Sequence, residues 1–168
     1  MNFKNTIIFL ITIFTWTIAQ TQVKTVKQIV EEVIPKIEQI SVDELKTKIN
    51  SDEKFILIDV RTEKEYLSGH IESAVWISRG EMEFATPKIL KDAKVEIVVY
   101  CRAGGQGVLS AYVLNDIGYE KVSNLDGGFK KWVNAGNSIF NMHGEIKVIH
   151  FEKKEKQYPN KDCLIERK

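Results

Sequence analysis

Four short apolar runs constrain this chain more than any other feature: residues 55–58, 74–77, 95–100 and 122–125. The first, Phe55-Ile56-Leu57-Ile58, is continuous rather than alternating, the pattern of a strand buried on both faces. Helix-like stretches separate or follow these runs, at residues 63–67, 81–90, 106–117 and 129–133. Strands alternating with helices predict an α/β fold of three layers, with a central, mostly parallel sheet flanked by helices on both faces. A chain of 168 residues that is 43% apolar has room for one such domain with an ordinary core. Ser41 followed by Glu44 is a capping-box pattern and predicts a helix from Val42 to about Ile49.

The two ends of the chain read differently. Residues 1–19 have a polar start with one cation, Lys4, then an apolar run at 7–18, and Thr17-Ile18-Ala19 offers small residues for cleavage. This is the pattern of a secretory signal peptide, and the apolar run is shorter than the roughly 20 residues of a membrane-spanning helix. The expected location is therefore exported, periplasmic or secreted, with no stable membrane anchor after cleavage. Residues 20–39 form a predicted helical extension: Val23, Val26, Ile29, Val30, Val33, Ile37 and Ile40 recur at three and four residues, with a bend near Pro35. Its apolar face serves either to pack on its own domain or to dock a partner. The domain proper is expected at residues 40–140. Residues 141–168 form a charged tail, with a short strand from Glu145.

Charge excludes some functions. With 24 basic and 23 acidic side chains, the chain gives no electrostatic reason to expect a nucleic-acid partner. Two cysteines, Cys101 and Cys163, are too few for a disulfide scaffold and stand in no paired-ligand spacing. His143 and His150 are too scattered to suggest a metal site.

In a parallel α/β sheet ligands bind beyond the carboxyl ends of the strands. One strand end stands out. Val98-Val99-Tyr100 runs into Cys101-Arg102-Ala103-Gly104-Gly105-Gln106-Gly107, and a helix follows. Three glycines let the loop curl so that backbone N–H groups converge, and the helix start adds its positive end. Such a loop binds anions, and over a thiol it favours the thiolate. Cys101 is a candidate nucleophile that needs no histidine, or else a small buried hydrophobe at a strand end.

The motifs around it resemble those of single-domain rhodaneses, in particular the exported sulfurtransferase type with a Cys-x-Ala-Gly-x-Gln loop. They are Leu57-Ile58-Asp59-Val60-Arg61, Glu65-Tyr66, Gly69-His70-Ile71, Val99-Tyr100-Cys101-Arg102-Ala103-Gly104, and Leu125-Asp126-Gly127-Gly128 with Trp132. The resemblance implies a sulfurtransferase in which Cys101 becomes a persulfide. Thiosulfate, a persulfide or a polysulfide is the donor, and cyanide, a small thiol or a protein thiol the acceptor. It implies no cofactor and no metal. The substrate-binding residues are then Arg102, Ala103, Gly104, Gly105, Gln106 and Gly107, whose amides would hold the sulfur's negative charge. Arg102 either attracts the donor or points into solvent. It is the only cation in the loop, a pattern expected to weaken thiosulfate binding.

Asp59, Arg61, Glu65 and His70 are expected to have structural roles. Asp59 would accept backbone N–H groups, Arg61 would partner Glu65, and His70 would organise its turn. Gly127 and Gly128 would let a helix start approach the active loop, and Trp76 and Trp132 are core or rim residues. Two other functions compete. A cysteine phosphatase of related fold needs Cys-x5-Arg, and position 107 is Gly. A rhodanese-like sulfur carrier or binding module without turnover has no need of the thiol unless it carries sulfur on it. Cys163 is a bystander, a resolving thiol or a disulfide partner for another chain.

Overall fold

The computed structural model describes residues 22–51 and 53–147. The expected signal peptide at residues 1–19, His150, Cys163 and the expected tail beyond residue 147 lie outside the described residues. Five strands, β1 (Glu38–Ile40), β2 (Ile56–Asp59), β3 (Val75–Trp76), β4 (Glu96–Tyr100) and β5 (Lys121–Leu125), form one sheet in the order β1-β5-β4-β2-β3. Every neighbouring pair is parallel. Parallel neighbours need crossover connections. These carry α2 (Val42–Ile49), α3 (Glu63–Ser68), α4 (Met82–Ile89) and α5 (Gly105–Asp116), while α1 (Val26–Val33) precedes the sheet and α6 (Gly128–Asn134) follows it.

The four apolar runs are the strands β2 to β5, and the architecture is the three-layer α/β one that their pattern predicts. Alternation along each strand sorts the core into two halves. Ile58, Ile97 and Val99 face one side, where they meet Val108, Ala111 and Leu114 of α5 and Met82 of α4. Leu57, Val98 and Tyr100 face the other, against Leu45 of α2 and Trp132 of α6. All of β4 from Ile97 to Tyr100 is fully buried, which explains its unbroken apolar sequence.

Local signals fix three helix starts. Thr25 with Gln28, Ser41 with Glu44 and Thr62 with Glu65 each form a complete capping box, so orphan N–H groups at the start of α1, α2 and α3 find side-chain acceptors.

The amino-terminal helix is shorter than its spacing predicts. It ends at Val33, a 3-10 turn containing Pro35 follows, and Glu38–Ile40 is the edge strand β1 paired with β5. Pro35 brings no N–H to the helical ladder, and the backbone beyond it gains sheet bonds to β5 instead. Val30 and Val33 pack on the α5 side of the core, whereas Val23 and Val26 are exposed. A further element, β6 (Ile139–Asn141), pairs antiparallel with β7 (Gly144–Ile146). Phe140 of β6 also exchanges two backbone hydrogen bonds with His70, at 2.9 and 2.8 Å, tying this hairpin to the turn after α3.

Candidate active site

Cys101 follows directly on β4. Its side chain takes the same side of the sheet as Ile97 and Val99, toward α5, and the residue is 3% exposed. The chain then turns back at Gly104, whose φ of +96° lies in the region that favours glycine. This turn brings the Gly104 N–H within 3.1 Å of Cys101 Sγ, to which it donates. Gly104 is also the N-cap of the twelve-residue α5. The first N–H groups of that helix, from Gly105 to Gly107, have no acceptor within the helix, and its positive end points toward the loop.

The loop is held from behind by the start of α6. Phe129 N–H donates to the Cys101 carbonyl at 2.8 Å and Lys130 N–H to the Arg102 carbonyl at 2.9 Å. The Cys101 and Arg102 carbonyls are thereby engaged by α6, while the Gly104 N–H is given to the sulfur. So close an approach requires Gly128: a Cβ there would lie 2.4 Å from the Cys101 carbonyl oxygen and 3.0 Å from the Gly104 nitrogen.

The loop residues do not share one role. Arg102, Ala103 and Gln106 are exposed, and with Cys101 and Gly105 they line a cleft of about 490 Å³. Gly107 is not among its lining residues. A Cβ at Gly107 would lie 2.1 Å from Asn124 Oδ1, so this glycine makes room for β5. Of the amides from Arg102 to Gly107, that of Gly104 bonds Sγ, and Gly107 is buried with Asn124 against it.

Asp59 and Arg61 form a closed knot on the other side of the sheet. Both are buried, at 0% and 5% exposure. Arg61 Nη2 donates to Asp59 Oδ2 at 2.6 Å and to the Gly69 carbonyl at 2.7 Å, and Nε lies 3.0 Å from both carboxylate oxygens. The Arg61 N–H closes the ring on Oδ1 at 2.9 Å. Above the guanidinium lies the Phe129 ring, its centroid 3.7 Å away. Burial works against the charge of Arg61, but the Asp59 carboxylate outweighs it and the guanidinium is held above its ordinary pKa. The same burial pushes the Tyr100 hydroxyl well up, aided by Asp59. Its oxygen accepts the Ile71 N–H at 3.1 Å.

The expected Arg61–Glu65 pair is not formed. Glu65 instead accepts the Thr62 hydroxyl at 2.8 Å, and that bond holds its carboxyl below the usual range, with smaller help from Arg61 and Arg102. His70 stacks on Tyr66 with centroids 4.1 Å apart, and its Nδ1 donates to the Tyr66 carbonyl at 3.0 Å. Trp76 bonds to the Arg61 carbonyl at 3.0 Å and Trp132 to that of Ser138 at 2.9 Å.

Thr62, Ser78 and Arg79 of the cleft escaped the sequence reading. Arg79, in the 3-10 turn Arg79–Glu81 after β3, lines the cleft beside Ser78. The signal was there: it stands just past the carboxyl end of a predicted strand, as Cys101 does.

A thiol at the end of a central parallel strand, bonded by a backbone N–H of the loop that leads into the next helix, defines a class of cysteine-dependent α/β domains. Within it the chain belongs to the rhodanese-like domain family, whose match covers residues 41–135. Among its relatives are sulfurtransferases and a sulfur carrier. It is 36% identical over 97 residues to "Putative sulfurtransferase YtwF" of Bacillus subtilis, covering 58% of this chain and 91% of that one. It is 32% identical over 96 residues to "Putative sulfur carrier protein YrkF" of the same organism, covering 57% of this chain and only 51% of that one. The chain thus spans about half the length of that relative. A thiosulfate sulfurtransferase from Pseudomonas aeruginosa superposes with a TM-score of 0.58 at 27% identity, over 62% of this chain and 20% of that one.

Proposed function

We propose that this chain is a sulfurtransferase that carries sulfane sulfur as a persulfide on Cys101, with thiosulfate as donor and cyanide or a thiol as acceptor. One observation carries the reading: Cys101 Sγ accepts the Gly104 N–H at 3.1 Å at the wall of an open cleft, rather than sitting among apolar side chains alone. The Cys101 thiolate attacks the outer sulfur of thiosulfate and a new S–S bond forms. The bond between the two sulfurs of the donor breaks, and its electron pair leaves with sulfite. Cys–S–S⁻ remains, and its outer sulfur passes to cyanide as thiocyanate, or to a thiolate as a persulfide, returning the Cys101 thiolate. The Gly104 N–H and the start of α5 stabilise the anionic sulfur throughout. The thiosulfate sulfurtransferase relationship supports the donor. Gly107 argues against phosphate chemistry, because Asn124 Oδ1 leaves no room there for the arginine that a Cys-x5-Arg site requires.

Mass spectrometry of the intact protein after brief exposure to thiosulfate tests this reading. Wild type is expected to gain one sulfur atom that cyanide removes, and Cys101→Ser to gain none while keeping its fold. Sulfur uptake by the serine variant would sink the mechanism. The apolar run at residues 7–18 supports export as the setting. Cell fractionation with amino-terminal sequencing checks that, and an uncleaved cytoplasmic chain would refute it.

A further inference from the structure

We infer that Arg79 is the second cation of the donor site, gripping together with Arg102 the oxyanion end of a thiosulfate-class donor. This rests on the proposed function and assigns a residue to it that lies outside the cysteine loop.

Charge accounting on the cleft wall leads to Arg79. Three arginines and one acid line it: Arg61, Arg79, Arg102 and Glu65. The charge of Arg61 is offset by Asp59, whose carboxylate takes its Nε and, with the Gly69 carbonyl, its Nη2. Glu65, the one acid on the wall, balances one of the two remaining arginines in formal charge. Arg79 supplies the surplus positive charge. Its guanidinium makes no hydrogen bond among the described residues. Its nearest acid, Glu83 on α4, lies 3.6 Å away, beyond hydrogen-bond reach, with both side chains about one-third exposed at 33% and 38%. An ion pair so loose and so hydrated contributes little and competes weakly with a ligand.

The chemistry of the donor matches. Thiosulfate presents three oxygens and two negative charges, and a guanidinium fork satisfies two oxygens at once, which an ammonium point charge does not. A single exposed arginine in the cysteine loop leaves such a dianion undercompensated. Arg79 reaches the same cleft from the end of β3, so the end of β4 supplies the nucleophile and one cation while the end of β3 supplies the other. The sequence expectation that a one-cation loop binds thiosulfate poorly is thereby answered from a neighbouring element.

The test separates binding from turnover. In a Cys101→Ser background, where no sulfur moves, thiosulfate affinity is measured by NMR titration. Arg79→Gln is expected to weaken it about tenfold, the loss of a charge-assisted contact, and Arg79→Lys to weaken it less. With Cys101 present, Arg79→Gln is expected to raise KM for thiosulfate about tenfold with kcat within about twofold. Glu83→Gln, which frees Arg79 further, is expected to lower KM. Unchanged affinity in a folded Arg79→Gln protein, or a fall in kcat at constant KM, would overturn the assignment, as would a raised KM in Glu83→Gln. Binding that depends on Arg79 in a wild type that never takes up sulfur would refute the sulfurtransferase reading and leave the anion site standing.

Discussion

The turns after β2 and β4 lie side by side at the same end of the sheet, each carries an arginine, and they do opposite things with it. After β2 the side chain of Arg61 is buried and its charge is closed off by Asp59, Gly69 and the Phe129 ring. After β4 Arg102 is exposed and its guanidinium makes no hydrogen bond among the described residues. The difference follows from strand geometry. Asp59 and Arg61 are two residues apart, so both project to the Tyr100 side, beneath α6, whereas Cys101 projects to the α5 side, where a helix start faces it. A folding domain must satisfy a buried charge, whereas an exposed one can stay unsatisfied. Here one sheet end holds both kinds because adjacent positions along a strand point to opposite faces.

The sharpest way to break this contrast is to remove Asp59. Asp59→Ala leaves a guanidinium buried without its counter-charge and is expected to cost about 3–5 kcal/mol. Urea unfolding measures it. Replacing Asp59 and Arg61 together by apolar residues is expected to recover most of that loss, since no uncompensated charge then remains. A loss below 1 kcal/mol in the single variant would mean that Arg61 is as free as Arg102. Next in size is Gly128→Ala. Its φ of +58° and a Cβ placed 2.4 Å from the Cys101 carbonyl oxygen force α6 and the loop apart. Roughly 3 kcal/mol of stability is expected to go, from left-handed strain plus the backbone clash. Sulfur uptake should fall with it, because the clash displaces the loop that carries the amides. Loss of stability with full uptake would show that the loop holds its shape without α6.

What the sequence makes legible here is local. The capping box at Ser41 and Glu44, the buried runs of β2 to β5, and the step from strand to glycine loop to helix around Cys101 each occupy a few consecutive residues. What it hides depends on pairing across the fold. Glu38–Ile40 continues the helical spacing of α1, and only its hydrogen bonds to β5 make it a strand. Arg61 and Glu65 stand four apart, the spacing of a helical ion pair. But α3 begins at Glu63, so Arg61 precedes the helix and obeys the two-residue rule of the strand end that gives it Asp59. That position 107 needs a glycine at all is set by Asn124, from another strand, which lies against it. Arg79 comes from a turn that no local motif links to Cys101.

A smaller effect refines the contrast at the edge of the cleft. Thr62→Ala removes the cap of α3 and is expected to cost about 1 kcal/mol. It should also raise the Glu65 midpoint toward the ordinary carboxylate range, because the Thr62 hydroxyl is the main group holding it down. The sign with pH follows. A carboxyl depressed in the folded state stabilises fully above its unfolded pKa and loses that contribution as pH falls through the folded value. The gap between wild type and Thr62→Ala should therefore be widest near neutral pH and shrink in acid. A gap that widens in acid would show that Glu65 is protonated when it bonds Thr62.

The smallest expected change in stability is at Arg102. An exposed side chain with no hydrogen bond of its own holds nothing together, so Arg102→Gln should unfold within about 0.5 kcal/mol of wild type. Its effect belongs in binding instead, as a raised KM for thiosulfate with kcat preserved, and in the Glu65 carboxyl, which loses a nearby positive charge and titrates slightly higher. The two arginines are then separated by where their removal is felt: Arg61 in unfolding, Arg102 in donor affinity. A destabilised Arg102→Gln protein with unaltered KM would reverse that assignment, and the turn after β4 would have to be counted as a second structural knot.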